Sequence, residues 1–121
     1  MADMRIGFTG TRKGLTPAQA TGVERVLHEL KGREFHHGDC IGADADAVEI
    51  AENLGYFTVA HPPTDPSLQA RRASDRILPP APYLIRNHDI VDAIQVLIAA
   101  PETVEERLRS GTWATVRYAR K

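Results

Sequence analysis

The segment MRIGFTGTRKGLTPAQATGVERVLHELKGREFHHG, residues 4–38, decides the fold class. It opens with a short apolar strand at residues 4–9. Thr16 then has the position of a helix N-cap, with a proline in the first helical position and Gln19 completing a capping box. An apolar stripe at helical spacing follows, and residues 34–37 form a second strand. This strand–helix–strand order begins an alternation that continues along the chain.

The remaining sequence predicts further strands and helices in the same order. Strands are expected at residues 56–61 and 93–100, and helices at residues 43–54, 83–92 and 112–120. The Pro-rich stretch 62–82 has no clear period, apart from a short helical piece expected around residues 68–75. The order β-α-β-α-β-α-β-α predicts an α/β fold, a Rossmann-like three-layer α/β/α domain that covers residues 1–121. Its sheet is expected to be mainly parallel, with about four or five strands.

Composition excludes several classes of protein. Hydrophobic residues make up 42% and charged residues 26% of the 121 residues, which is typical of globular proteins and excludes a disordered tail, a coiled coil or a collagen-like fibre. No apolar run approaches the roughly 20 residues of a membrane helix, and the N-terminus has no signal-peptide pattern. Because Cys40 is the single cysteine, we expect no disulfide within the chain and a cytoplasmic location.

The arrangement of the histidines argues against a metal site. His36 and His37 are adjacent on a predicted strand, so their side chains point to opposite faces, and no zinc-ligand spacing is present. We therefore expect no metal and no cofactor. The net charge of −1 indicates no general attraction to nucleic acids.

Three glycine-containing turns carry the functional prediction. They are residues 7–14 (GFTGTRKG), 38–44 (GDCIGAD) and 109–112 (RSGT), and each precedes a predicted helix. Turns of this kind meet at the carboxyl edge of a parallel sheet, where helix N-termini offer free N–H groups to an anion. Together they predict a pocket for a phosphate group, although neither a P-loop nor a G-x-G-x-x-G motif is present.

Thirteen residues form the predicted nucleotide- or phosphate-binding site. Some have a second interpretation: Arg12 either clamps a phosphate or pairs with a surface acid, and Asp39 and Asp44 either contact the ligand or cap the second helix. Asp39 and Asp44 are also the candidate catalytic carboxylates. The predicted residues are Gly10, Thr11, Arg12, Gly38, Asp39, Gly42, Ala43, Asp44, Arg86, Asn87, Ser110, Gly111 and Thr112.

These segments, with LIRNHDIV at residues 84–91 and LIAAP at residues 97–101, resemble the SLOG superfamily of Rossmann-like nucleotide-binding domains. That superfamily joins DNA-processing protein A (Smf) to the Lonely Guy phosphoribohydrolases, and the start of the last helix is nearer the DNA-processing version. The resemblance implies a nucleotide-derived ligand and a homodimer or higher homo-oligomer. The apolar faces of the third and last helices are the candidate interface.

One position departs from the Lonely Guy pattern. Thr115 stands where those enzymes carry a catalytic glutamate. We therefore expect binding of a nucleotide or nucleotide-derived ligand to be the main activity. Hydrolysis of an N-glycosidic bond in a nucleoside phosphate, with Asp39 or Asp44 as the carboxylate, is the alternative. Binding of single-stranded DNA is the second alternative.

Overall fold

The computed structural model describes residues 4–71, 73–103, 106 and 110–121. In these residues five parallel strands form one sheet in the order β4-β3-β2-β1-β5, and four α-helices accompany it. The Rossmann-like α/β prediction is thereby confirmed. In chain order the elements are β1 Arg5–Gly10, α1 Pro17–Leu30, β2 Glu34–His37, α2 Ala43–Asn53, β3 Phe57–Ala60, β4 Arg76–Ile77, α3 Tyr83–Asp92, β5 Val96–Ala100 and α4 Gly111–Ala119.

Local signals in the sequence set the helix ends. The Thr16 hydroxyl accepts from the Gln19 amide at 3.1 Å, and the Gln19 side chain accepts from the Thr16 amide at 3.0 Å, which is the predicted capping box. Gly55 follows α2 with a φ of 84°, a left-handed conformation that favours glycine.

The helices form two layers on the sheet. One layer is α1 against α2, and α2 also contacts β1, β2 and β3. The other is α3 against α4, and both of these helices contact β1. The main core lies under α1 and α2, where the rings of Phe8 and Phe35 are 6.1 Å apart and Tyr56 donates to the Leu27 carbonyl at 2.6 Å. This core fixes the carboxyl edge of the sheet, where the predicted turns lie.

The stretch 62–82 differs from the prediction. The helical piece expected around residues 68–75 is wrong: a 3₁₀ helix occupies Pro66–Leu68 instead, and β4 pairs with β3 at Arg76–Ile77. A two-residue strand is too short to show a period in the sequence. It is held in place by Asp75, whose carboxylate accepts from the Thr58 amide at 2.8 Å.

The apolar stripe of α3 is used inside the fold. A Cβ at Gly7 would lie 3.1 Å from Ile90 and would overlap Ile94, so this stripe packs directly on the backbone of β1. The apolar side chains that α3 leaves exposed are Leu84 and Ile85. Ile90 of this stripe is thus used inside the monomer, and the homodimer with its interface on the third and last helices stays a prediction. Within the described ranges, no helix has the length and hydropathy to cross a membrane.

Candidate functional site

A cleft opens where the strand order reverses. The chain runs from β1 through β2 and β3 to β4 on one side, and β5 then returns to the other side of β1. The segments that follow β1 and β5 diverge there, which is where ligands bind in open α/β sheets. The cleft has a volume of about 510 Å³. It is lined by Gly10, Thr11, Arg12, Lys13, Tyr83, Glu102, Thr103, Ser110, Gly111 and Thr112.

Two of the predicted turns lock together behind this cleft. The Ala43 amide donates to the Thr11 carbonyl at 2.9 Å, and the Thr11 amide donates to the Ala100 carbonyl at 3.1 Å. Gly42 has a φ of 91°, and a Cβ there would overlap the backbone of Arg12. Gly42 and Ala43 therefore support the turn after β1 and do not line the cleft.

The turn after β1 brings two cations to the cleft. Arg12 is exposed, and its guanidinium has no hydrogen bond or ion pair with any described residue. Lys13 reaches across the cleft, where its Nζ lies 2.7 Å from Oε1 of Glu102. The positive charge of Arg12 is thus available to an anion, whereas that of Lys13 is already paired.

The N-terminus of α4 forms the opposite wall. Ser110 is the N-cap, and its hydroxyl accepts from the Trp113 amide at 3.2 Å. The amides of Gly111 and Thr112 are in the first turn, where a helix supplies no carbonyl to receive them. Gly111 has no room for a side chain, because a Cβ there would overlap the Tyr83 hydroxyl. Backbone donors and the positive end of a helix dipole therefore border the cleft.

A buried arginine lies behind the cleft. Arg86 is 3% exposed, and its Nη1 donates to the Gly38 carbonyl at 2.5 Å. Its guanidinium also lies 3.4 Å from the Cys40 sulfur and 5.1 Å from the centre of the Tyr83 ring. Arg86 thus ties α3 to the turn after β2 and holds the aromatic wall of the cleft. Its predicted direct contact with a ligand stays a prediction.

Asp44 supports the same turn from the other side. Its carboxylate accepts from the Gly38 amide at 3.0 Å and from the Cys40 amide at 3.3 Å. Burial raises the pKa of Asp44 to about 6, against the opposing effect of Arg86. Burial and the nearby Asp44 raise the pKa of the Cys40 thiol, which disfavours a reactive thiolate.

The structure separates the predicted site residues into three groups. Six line the cleft: Gly10, Thr11, Arg12, Ser110, Gly111 and Thr112. Four border a cavity of about 20 Å³ behind it, which Gly10 and Arg12 also line: Gly38, Asp44, Arg86 and Asn87. The remaining three, Asp39, Gly42 and Ala43, line neither space.

Asp39 lines neither the cleft nor the small cavity, and its backbone is held by neighbouring residues. Its φ is 50°, its amide donates to Nδ1 of His37 at 3.1 Å, and its carbonyl accepts from the Ala70 amide at 2.7 Å. The residue is 7% exposed. Of the two predicted catalytic carboxylates, Asp44 is the one that borders a space next to the cleft.

Sequence reasoning missed four residues of the cleft: Lys13, Tyr83, Glu102 and Thr103. Two of them had signals in the sequence. Lys13 belongs to the quoted turn after β1, and Tyr83 follows Pro82 in the first turn of a helix that starts at the same sheet edge. Among the described residues, no group of three or more His, Cys, Asp or Glu side chains is arranged to hold a metal ion.

Comparison with solved structures shows which known structures share this fold. DNA processing protein A from Helicobacter pylori, described for its single-stranded DNA binding mode, superposes with a TM-score of 0.68 at 20% identity. The match covers 98% of this chain and 61% of that one, so this chain spans less than two thirds of its length. The molybdenum cofactor binding protein of the phototrophic bacterium Rippkaea orientalis gives a TM-score of 0.74 at 20% identity, over 98% and 71% of the two chains. The likeness is one of fold.

A third solved structure, a structural-genomics target, superposes on this chain with a TM-score of 0.65 at 11% identity. The match covers 96% of this chain and 68% of that one. Comparison of the sequence with protein-family models and with curated proteins gives no match. The likeness to DNA-processing protein A that the sequence predicts is borne out in the fold alone, and the ligand has to be argued from the cleft itself.

Proposed function

We propose that the cleft at the strand-order reversal binds the phosphate group of a nucleotide or nucleotide-derived ligand. The observation that supports this is the pairing of two donor sets across one space. The exposed guanidinium of Arg12 lies on one side, and the first-turn amides of Gly111 and Thr112 lie on the other. Phosphate is the common ligand of a helix N-terminus joined to an arginine.

The size and lining of the cleft favour a ligand larger than a free phosphate ion. A volume of about 510 Å³ is within the range of small-molecule sites. Tyr83 supplies an aromatic surface, while Glu102 and Thr103 supply groups that can bond to hydroxyls. A nucleotide, which carries a sugar and a base beside its phosphate, would use all three residues.

The proposal is tested by titration with nucleotides. Arg12→Ala is expected to weaken binding of a nucleoside monophosphate by about 1.5–3 kcal/mol, the usual contribution of a hydrogen bond to a charged group. Arg25→Ala is the matched control, because Arg25 is an exposed arginine on α1. Unchanged affinity in a folded Arg12→Ala protein would remove Arg12 from the site. Absence of saturable binding by any purine or pyrimidine monophosphate would contradict the proposal.

A second candidate is cleavage of an N-glycosidic bond, and one observation favours it. Asp44 borders the small cavity next to Arg12, and its pKa of about 6 suits a general acid or base near neutral pH. Against this, the carboxylate is held by two backbone amides. Thr115 is 2% exposed, and its hydroxyl donates to the Gly111 carbonyl at 2.9 Å. The hydroxyl is thus bound to the helix backbone and does not take the place of a catalytic carboxylate.

Single-stranded DNA is the third ligand to include. It is what the Helicobacter pylori protein is described as binding, and Arg12, Lys13 and Tyr83 offer charge and an aromatic surface in one cleft. A labelled oligonucleotide competing with a nucleoside monophosphate for the same site would favour this ligand. Binding that Arg12→Ala leaves unchanged would place the oligonucleotide elsewhere.

A further inference from the structure

The small cavity behind the cleft has room for one further group of a ligand. Its volume is about 20 Å³, and a single water molecule needs about 10–15 Å³ of such space. Gly10, Arg12 and Tyr83 line both the small cavity and the cleft, so the two spaces adjoin. A molecule bound in the cleft can therefore place one small substituent in the cavity.

Asp44 supplies a hydrogen-bond acceptor to the cavity wall. The residue is 6% exposed and borders the cavity. The amides of Gly38 and Cys40 both donate to the same oxygen of its carboxylate, Oδ2, at 3.0 and 3.3 Å. The second oxygen, Oδ1, takes neither of these bonds, and it is the one that can accept from a ligand.

Arg86 supplies a hydrogen-bond donor to the same wall. Its Nη1 and Nη2 lie against Gly38 and Cys40, which also line the small cavity. Its Nε is buried and has no hydrogen-bond partner in the part of the chain that the structure describes. A buried N–H group without an acceptor costs free energy, so an acceptor from a bound molecule would stabilise it.

A donor and an acceptor thus border a space that holds about one heavy atom. A hydroxyl group matches both, because its single oxygen donates one proton and accepts through its lone pairs. A keto oxygen has no proton to give to Asp44, and an ammonium group has no lone pair for Arg86. The remaining polar lining, from Thr9 and Asn87, is neutral and is also able to bond to a hydroxyl.

We propose that the small cavity makes the site selective for ribonucleotides by receiving one hydroxyl group of the ribose. The hydroxyl donates to Oδ1 of Asp44 and accepts from Nε of Arg86, while the phosphate lies between Arg12 and the N-terminus of α4. This inference rests on the proposed nucleotide site and adds which sugar that site takes. Internal nucleotides of DNA carry neither a 2′-hydroxyl nor a free 3′-hydroxyl, so they do not satisfy these two groups.

The first test compares sugars on the unchanged protein. Calorimetric titration uses the 5′-monophosphates of adenosine, guanosine, cytidine and uridine, each beside its 2′-deoxy and 3′-deoxy forms. The ribose form is expected to bind about 10-fold to 100-fold more tightly than one of the two deoxy forms, the range for the loss of a hydrogen bond to a charged group. The weaker deoxy form identifies the hydroxyl that enters the cavity.

Two further substituents at that position separate hydrogen bonding from size. Fluorine is close to a hydroxyl in size but has no proton for Asp44, so the fluoro form is expected to bind as weakly as the deoxy form. A methoxy group is larger than the cavity of about 20 Å³ and is expected to bind more weakly still. A fluoro or methoxy form that binds as tightly as the ribose form would overturn the proposal.

Asp44→Asn tests the acceptor, and it is expected to remove most of the preference for ribose. Its amide oxygen can still accept from the Gly38 and Cys40 amides, whereas its NH₂ group replaces the acceptor at the cavity. Asp46→Asn is the matched control. Asp46 is also in the first turn of α2, its Oδ2 accepts from the Leu15 amide at 2.9 Å, and it lines neither space.

The outcomes separate this inference from the proposed function. Equal affinity for the ribose form and both deoxy forms would overturn the inference and leave the nucleotide site standing. A preference that survives in Asp44→Asn, or that Asp46→Asn reduces to the same extent, would also overturn it. If Asp44→Asn does not fold, the comparison of sugars on the unchanged protein decides. If none of the nucleotides binds, the proposed function fails, and the selection of the sugar fails with it.

Discussion

The guanidinium of Arg86 holds the carbonyl of Gly38, and this contact joins α3 to the turn after β2. The two residues are 48 positions apart in the sequence. Gly38 has to be glycine for the contact to form, because a Cβ there would overlap the guanidinium. The position of the aromatic wall of the cleft therefore depends on a residue that lies outside the cleft.

Replacing Arg86 is expected to destabilise the protein strongly. Arg86→Met removes the cation that compensates the buried Asp44 and leaves the Gly38 carbonyl without its donor, so we expect a loss of about 3–5 kcal/mol in the free energy of unfolding. Urea denaturation measures it, with the exposed Arg25→Met as control. A loss as small as that of the control would mean that Arg86 is not the link between α3 and this turn.

The pH dependence of stability is expected to contain two opposing contributions. Asp44 has its pKa raised from 3.8 to about 6, so its contribution to stability is complete below pH 3.8 and is lost as the pH rises through about 6. His61 has its pKa lowered from 6.5 to about 4, so its contribution is complete above pH 6.5 and is lost as the pH falls through about 4. His36, whose pKa is also lowered by burial, acts in the same sense as His61.

Two variants separate these contributions. Asp44→Asn leaves the histidine contribution, so its unfolding free energy is expected to fall on acidification by up to roughly 3 kcal/mol. His61→Asn leaves the Asp44 contribution, so its slope is expected to have the opposite sign. Urea denaturation from pH 4 to pH 7 measures both. Parallel pH profiles for the two variants would show that these groups do not control the acid behaviour.

Gly42→Ala is expected to cost more stability than Gly55→Ala. Both glycines have a positive φ, of 91° and 84°, so both variants suffer backbone strain. The difference lies in the surroundings: a Cβ at Gly42 would overlap the backbone of Arg12, whereas one at Gly55 meets nothing within 4 Å.

The same pair of variants tests the link to the cleft. Gly42→Ala is expected to displace the turn that carries Arg12 and therefore to weaken nucleotide binding, while Gly55→Ala leaves the affinity unchanged. Thermal unfolding and calorimetric titration supply the two measurements. Equal stability losses would contradict the close approach of the two turns.

Incubation with nucleoside monophosphates is expected to release no free base. The carboxylate of Asp44 is held by two amides, and the hydroxyl of Thr115 is donated to the helix backbone. Chromatography of the products checks this. Release of free base that disappears in Asp44→Asn would show hydrolysis of the N-glycosidic bond and would contradict the expectation that the protein only binds the nucleotide.

We expect a homodimer, and the exposed pair Leu84 and Ile85 is the place to test it. These side chains are 60% and 55% exposed on the first turn of α3, beside the cleft. Leu84→Glu is expected to convert a dimer to a monomer in light scattering. Phe57→Glu is a control at another exposed apolar side chain, on the opposite part of the sheet. A monomer in the unchanged protein at micromolar concentration would contradict the prediction.

The alternation of short apolar strands with capped helices was enough to predict the fold. Thr16 and Gln19 marked one helix start, and the bounds of β2 and α3 agree with the prediction, because these signals are local. β4 was missed, since two residues carry no periodicity and its place depends on the Asp75 contact with Thr58. β5 starts three residues later than predicted, because Ala93 is apolar and yet its amide donates to the Asp89 carbonyl at the end of α3.

The sequence predicts which turns form the candidate site, but it does not predict which of their residues line the cleft. Six predicted residues line the cleft because parallel strands bring their carboxyl ends to one edge. Gly42 and Ala43 are small residues in a similar turn, and the sequence does not indicate that they pack on Arg12 and Thr11 instead of lining the cleft. Tyr83 and Glu102 depend on how α3 and the segment after β5 meet, which is a tertiary feature.

The ion pair between Lys13 and Glu102 places a competitor for anionic ligands inside the cleft. A phosphate that takes the Lys13 ammonium has to displace a carboxylate held at 2.7 Å. A ligand that binds Lys13 therefore exchanges one anionic partner for another, whereas a ligand that binds Arg12 meets no such competitor. Because both side chains are largely exposed, the pair is weak, and the competition selects modestly for ligands with additional charge or contacts.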